Sequence, residues 1–424
     1  MPGERLPTRR DALRSKNRPR SKTSRKVGGS SSLAEAAQAS VGHFLRRTRE
    51  SLRLTQAQVA EKTHDSPWQL SRAAVSAIER GQNFPGLEAM LALSNVLHID
   101  PKELIERARL TAVVPVDITG LTDRELEDRA SQYFWAGDFR QALSVYDAMV
   151  HKLALEAPER REVVLQLATL EVRRATTLKR IGALISAIAS AERAISLSVT
   201  LPAIQSEAYV VLADLQAQRG HLPLAEDAAD RSIELCKRAN PKRLAWACMV
   251  KGKALCLGKD FGEAKRAFLE AREQAATHDD RQHMSHIAGN IGTCCVALGD
   301  IGEAREWTER ALGFSRRFKQ PALEASWLVE LGRIAMLQDR TTEADSLAQS
   351  ALRIARPSGH SLTVFRAEWL RHRVAHSERP ESPDRERVSL LRELYLQLDE
   401  HAGVDEIVEF KQTVLRNTSA QRET

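Results

Sequence analysis

LGDIGEAREWTERA, residues 298–311, sets a glycine and an aspartate ahead of a run in which alanine falls at Ala304 and again at Ala311. Seven residues is two turns, so both alanines share one helical face. Gly299 is the residue type that most readily ends a preceding helix in the left-handed conformation. The stretch therefore reads as a helix terminator followed by a second helix whose small face admits close approach.

The arrangement recurs on both sides. AGDFRQALSVYDAM (136–149), GHLPLAEDAADRSI (220–233), GKDFGEAKRAFLEA (258–271) and QDRTTEADSLAQSA (338–351) repeat it, and RIGALISAIASAERA (180–194) is a weaker copy. The central alanines are Ala142, Ala187, Ala225, Ala264, Ala304 and Ala344, at intervals of 45, 38, 39, 40 and 40. Twelve positions before each stands Ala130, Ala175, Ala213, Gly252, Gly292 or Gly332, and seven after several of them stands Ala194, Ala271, Ala311 or Ala351. A period near forty with two small-faced helices per unit specifies an array of helical hairpins, the small residues marking where paired helices cross. The spacing predicts six hairpins over 121–356, with Gly137, Gly220 and Gly299 ending first helices. Capping helices are expected over 357–415, including two amphipathic ones at 384–415 after the ERPESPD break.

The totals agree with an all-α fold. The chain has 424 residues, 42% hydrophobic but only 5% aromatic, which suits Ala/Leu helix packing better than sheets. Its net charge of +7 is uneven. Residues 1–40 hold ten Lys/Arg against three Asp/Glu, residues 41–110 ten against eight, and the remainder 43 against 45. A basic disordered tail (1–40), a mildly basic module (41–110), a linker (111–120), a neutral body and a short disordered tail (416–424) are expected. No apolar stretch is long enough to cross a bilayer, and no hydrophobic signal core follows the basic start, so a cytoplasmic protein without membrane contact is expected. Five cysteines without CxxC spacing read as reduced thiols in helices, one of Cys294 and Cys295 facing the core.

The module at 41–110 begins with Leu45, Thr48, Leu52 and Leu54 at helical spacing. Thr55 is a helix cap ahead of Val59 and Ala60, and SRAAVSAIERG (71–81) follows. Helices from Leu87 and from Pro101 complete five in about seventy residues. SRAAVSAIERG is poor in large side chains, as a helix must be if its backbone is to approach bases in a major groove about 12 Å wide. Ser71 can cap it and favour a phosphate at its N-terminus. Arg72 can fork onto guanine, Ala73 or Ala74 can pack on a thymine methyl, and Ser76 can reach a base edge or a phosphate. Val75 and Ile78 are expected in the core.

LRLTQAQVAEKT followed by SRAAVSAIERGQNFPGLEAMLALSNVLHIDPKEL resembles the Cro/C1 (xenobiotic-response-element) helix-turn-helix family. Arg49, Thr55, Gln56, Ala60, Ser76, Ile78, Glu79, Gly81 and Pro85 carry the match. The resemblance implies a five-helix DNA-binding domain, a phosphate contact for Gln56 and a structural ion pair of Arg49 with Glu79. The separation from Ala60 to Glu79 exceeds the family pattern by about five residues, the extra segment being His64–Gln69 between two helices. The body resembles the tetratricopeptide repeat. Together the two parts resemble bacterial peptide-sensing (quorum-sensing) regulators, which implies a homodimer on double-stranded DNA and a peptide or protein effector in the groove of the array.

Mapping the groove face of the repeat onto the chain gives Arg173, Asp214, Lys253, Asn290, Thr293 and Arg333, with Thr169, Thr176, Glu207, Trp246 and His286 on the same face. An Asn amide both donates and accepts, and so can hold a peptide backbone in register; an Arg can fork onto a carboxylate. His278, Asp279, Asp280, His283 and His286 are clustered in sequence but lack a completing set for a metal. With no Gly-rich phosphate loop, no GxSxG and no acid–base pair, neither enzyme activity nor a cofactor is expected. The competing reading is a tetratricopeptide-type interaction scaffold whose small module only tethers it or no longer binds DNA.

Overall fold

The computed structural model of the chain describes residues 29–63, 67–110, 120–155, 160–278, 280–281, 283–357, 360–378, 385–396, 398 and 405–415. It divides into two compact units, Met1–Val113 and Val114–Thr424. Among the described residues every regular element is a helix.

The first unit holds α1 (Gly29–Ser51), α2 (Gln56–Lys62), α3 (Arg72–Glu79), α4 (Leu87–Leu97) and α5 (Pro101–Arg109). Helix α1 starts well before Val41, so residues 29–40, expected in the disordered tail, are helical. The Lys/Arg run stops at Lys26, and Leu33 to Ala39 are nearly all good helix formers. The extension also packs. A Cβ on Gly81, whose φ is +66°, would lie 2.9 Å from Ala39 Cα, and Ser40 Oγ donates to the Arg107 carbonyl at 3.2 Å. The core is Val41, Leu45, Val59, Val75, Ile78, Leu93, Leu97 and Leu104, from all five helices. Thr55 caps α2 through a reciprocal pair with Gln58, and Asp100 caps α5 ahead of Pro101. The expected tails over 1–28 and 416–424, and the linker over 111–119, lie outside the described residues.

The second unit opens with six hairpins: α6 (Asp123–Trp135) with α7 (Phe139–Leu155), α8 (Arg161–Ile181) with α9 (Leu184–Leu197), α10 (Pro202–Gln218) with α11 (Leu222–Ala239), α12 (Leu244–Leu257) with α13 (Phe261–Thr277), α14 (Met284–Leu298) with α15 (Ile301–Arg317), and α16 (Pro321–Leu337) with α17 (Thr341–Ala355). One residue per hairpin takes the left-handed conformation, five positions before each central alanine: Gly137, Gly182, Gly220, Lys259, Gly299 and Asp339. Four are glycine; Lys259 and Asp339 adopt φ of 64° and 58° at the steric cost of a Cβ. All six central alanines are fully buried. The small residues twelve positions earlier are needed where they stand. A Cβ on Gly252 would lie 2.7 Å from the Phe268 ring, and one on Gly292 2.5 Å from Thr308 Oγ1.

Beyond the hairpins come α18 (Ser361–Glu378), α19 (Arg385–Leu396) and α20 (Asp405–Phe410), the last running into a wider turn at Lys411–Leu415. Helix α18 adds to the two amphipathic helices expected at 384–415. It packs on α16 and α17 as a seventh first helix. Its Phe365 and Trp369 join Leu391, Ile407 and Phe410 in a separate cluster that buries the end of the array. No helix among the described residues is long and apolar enough to cross a membrane. Cys294 and Cys295 are both fully buried, where one was expected: one packs toward α12, and the other lies against Lys265 of α13.

Candidate nucleic-acid interface and groove of the array

In the first unit α3 divides cleanly by face. Val75, Ile78 and Glu79 are buried, whereas Ser71, Arg72 and Ala73 are exposed and Ala74 and Ser76 half-buried. Ser71 caps the helix, its Oγ accepting from Ala74 N–H at 3.1 Å. Arg72 makes no ion pair among the described residues, so a guanidinium stands at the first turn of a small-residue face. Glu79 anchors the inner side: Arg49 Nε donates to Glu79 Oε1 at 2.6 Å and Arg49 Nη2 to Oε2 at 3.0 Å. Gln56, expected on a phosphate, instead donates its amide to Glu79 Oε2 at 2.8 Å. It sits half-buried at the first position of α2, within reach of the Glu79 carboxylate.

The extra segment between α2 and α3 is stapled at its base. Leu70 N–H donates to Thr63 Oγ1 at 3.0 Å, and that hydroxyl donates to the Ala60 carbonyl at 2.6 Å, with Thr63 fully buried. Of the segment itself, residues 64–66 lie outside the described residues. The Thr63 hydroxyl thus ties the end of α2 to the residue preceding Ser71.

In the array, the first helices α8, α10, α12, α14, α16 and α18 run side by side, and the expected groove residues sit along them. Most fall into two clusters and one outlying pair; Glu207 of α10 pairs instead with Arg243 at 3.0 Å, and Thr169 and Thr176 of α8 donate to the Leu165 and Val172 carbonyls of their own helix. In the central cluster Asp214 of α10 is buried between Lys179 of α8, at 2.6 Å, and Lys253 of α12, at 3.7 Å. Burial pushes the Asp214 carboxyl up, but Lys253 and Lys179 outweigh it and hold the group below the usual carboxylate range. Asp214 is thus consumed by the array, which corrects its expected place among residues facing an effector; it fixes Lys253 instead. His286 of α14 faces the same charges. Burial, with Lys253, His283 and Arg180 adding repulsion, pushes its imidazole down to about 4. Trp246 stacks on His283, whose Nδ1 lies 2.7 Å from Asp280 Oδ2; Asp279 lies outside the described residues. One turn beyond His286, Asn290 Nδ2 is closed off from solvent, with no hydrogen-bond partner among the described residues. Thr293, a turn further, is exposed and donates to its own helix at the Gly289 carbonyl.

The second cluster lies at the far end. Arg333 pairs with Glu330 at 3.2 Å and with Glu406 of α20 at 3.4 Å. Arg366 of α18 bridges the same two carboxylates, and Trp369 Nε1 donates to Glu409 at 3.0 Å. The outlying pair is Arg173 with Glu127 of α6 at 3.3 Å, both half-buried. Lys179, Arg180, Glu330, Arg366 and Glu406 were not foreseen. The first two close a helix C-terminus, where basic residues also suit the macrodipole, and α18 breaks the alanine pattern that located the other helices.

Among the described residues no three His, Cys, Asp or Glu side chains are placed to share a metal ion.

The helix-turn-helix domain family matches residues 40–108. No curated protein matches the chain. Among solved structures, the chain is similar to PlcR of Bacillus thuringiensis in complex with the peptide PapR7 and DNA, at 14% identity and a TM-score of 0.42 over 68% of this chain and 99% of that one. It is similar to the apo competence regulator ComR of Streptococcus vestibularis, at 13% and 0.36 over 70% and 99%. A signal transduction ATPase with a tetratricopeptide repeat sensor from Pyrococcus horikoshii matches at 13% and 0.48, over 90% of this chain and 57% of that one.

Proposed function

We propose that the chain is a sequence-specific DNA-binding transcriptional regulator whose repeat array binds a peptide or protein effector, and that it acts as a cytoplasmic homodimer. For DNA, the supporting observation is the exposed edge of α3. An eight-residue helix in a helix-turn-helix domain presents Arg72, without an ion pair among the described residues, beside Ala73 and Ala74, whose small side chains let its backbone approach base edges. Ser71 and Ser76 add phosphate or base-edge contacts. Gln56 can join them through its side-chain carbonyl or by leaving Glu79.

For the effector, the supporting observation is Asn290. A buried amide nitrogen without a partner among the described residues costs free energy, which a ligand carbonyl would recover once the partly exposed side chain turns to meet it. Lys253, held by Asp214, and Arg180 set positive charge nearby, so a backbone carbonyl on Asn290 with a carboxylate toward Lys253 is the ligand chemistry that fits. Thr293 extends that surface, and Arg173 and Arg333 mark its two ends. A ligand bound more tightly by one curvature of the array than by another would shift the protein between the two.

Selection of DNA fragments retained by the full chain tests the reading. A recovered motif with two-fold symmetry and half-sites one or more turns apart is expected. Retention of fragments with no common motif would leave the scaffold reading in its place.

A further inference from the structure

The cysteines of the array form one close pair that the proposed function does not use. Cys256 lies in the last turn of α12 and Cys294 in α14, so the two belong to neighbouring first helices, 38 residues apart in sequence. Their sulfurs are 3.4 Å apart. Cys294 is fully buried, while Cys256 is partly exposed. This is the asymmetry a reactive and a resolving thiol require: one reachable from solvent, the other shielded and in contact with it. Donation from the Cys294 thiol favours the thiolate of Cys256, and that same contact, with burial, disfavours the thiolate of Cys294. The remaining closure of little more than 1 Å to a sulfur–sulfur bond falls on the end of a helix. There the chain already turns through Gly258 and Lys259. Cys295 is a poorer partner, since its side chain is directed to Lys265 of α13.

We propose that Cys256 and Cys294 are an oxidation site for hydrogen peroxide that closes to a disulfide joining the fourth and fifth hairpins. The Cys256 thiolate attacks one peroxide oxygen, the O–O bond breaks, and the departing hydroxide takes up a proton as water. The resulting Cys256 sulfenic acid is attacked by the Cys294 sulfur. Its S–O bond breaks, and the hydroxyl leaves as a second water with the Cys294 proton. Two electrons pass from the sulfurs to the peroxide. Lys253 and Asn290 each stand one turn before these cysteines on the same two helices, so the bond is formed beside the effector residues and restrains the gap between them.

The test is to treat the reduced full chain with hydrogen peroxide, quench, alkylate and map cysteine-containing fragments without reductant. A 256–294 link is expected in the native chain and in Cys295→Ser. It is expected to be absent in Cys256→Ser and in Cys294→Ser. The oxidised native chain should unfold about 5–10 °C higher than the reduced one, with dithiothreitol reversing the change. Full alkylation of both residues after peroxide, a link through Cys295, or over-oxidation of Cys256 without a link would each overturn the proposal.

Discussion

Arg49 and Glu79 meet at 2.6 Å with side chains 10% and 4% exposed, and Gln56 completes the contact from the start of α2. One carboxylate therefore ties α1 and α2 to the end of α3. Removing Arg49 leaves Glu79 buried without a cation, and removing Glu79 leaves Arg49 only its weaker contact with Glu50 at 3.5 Å, a cost on the order of 3–5 kcal/mol at most. Glu79→Ala and Arg49→Ala should each unfold the first unit while leaving the helical signal of the array, as followed by circular dichroism on heating. Glu79→Gln should be milder. An unchanged melting profile in Glu79→Ala would remove the pair from the account of the fold.

Gly289 lies under Trp327. A Cβ there would sit 2.2 Å from the indole, which is held by its Nε1 donating to Ser285 Oγ at 2.9 Å, that hydroxyl in turn donating to the Ala311 carbonyl. Because the ring is pinned, Gly289→Ala is expected to destabilise the array by about 1–3 kcal/mol despite alanine's better helix propensity. Denaturant unfolding measures it, and a stabilised variant would contradict the packing described.

The two non-glycine turns offer the opposite experiment. Lys259 and Asp339 hold left-handed conformations that glycine occupies in the other four hairpins. Lys259→Gly is expected to be neutral to stabilising, by up to about 1 kcal/mol, whereas Gly299→Lys is expected to destabilise by about the same. A loss of stability in Lys259→Gly would mean that its side chain contributes more than the strain costs.

His286 gives the array a pH dependence. At neutral pH it is uncharged both folded and unfolded. Between pH 6.5 and about 4 the unfolded chain takes a proton there that the folded chain does not, so the folded state loses stability as pH falls through that window. The total is on the order of 3 kcal/mol, and the Asp214 carboxylate of the same cluster, held below its usual range, does not oppose it. Unfolding followed across this window should show a slope that His286→Gln flattens. An equal slope in the variant would place the proton elsewhere.

The hairpins were legible because alanine and glycine at fixed intervals record helix crossings directly: each of Ala142 to Ala344 is buried, and Gly252 and Gly292 stand where no Cβ fits. A helix in the region of α18 was expected among the capping helices, but its packing as a further first helix was not legible, because large residues such as Leu370, set against Gly332, stand where the repeat has small ones. The start of α1 was hidden by the basic run before it. At the sites, the burial of Val75 and Ile78 and the cap at Ser71 followed from helical spacing. The positions of Asp214 and Arg333 did not, since a charged residue on a groove face looks the same in sequence whether it meets solvent or a partner from the next hairpin.

The most direct test of the account is the dissociation constant of the full chain for selected and for random duplex DNA across a series of salt concentrations, with Arg72→Ala beside the native protein. The native chain should bind the selected duplex more tightly, with affinity falling steeply as salt rises. Arg72→Ala should lose about 1–3 kcal/mol on the selected duplex, roughly 5- to 150-fold, and little on the random one. Equal affinity for both duplexes in the native chain, or no change in Arg72→Ala, would contradict a base-reading α3.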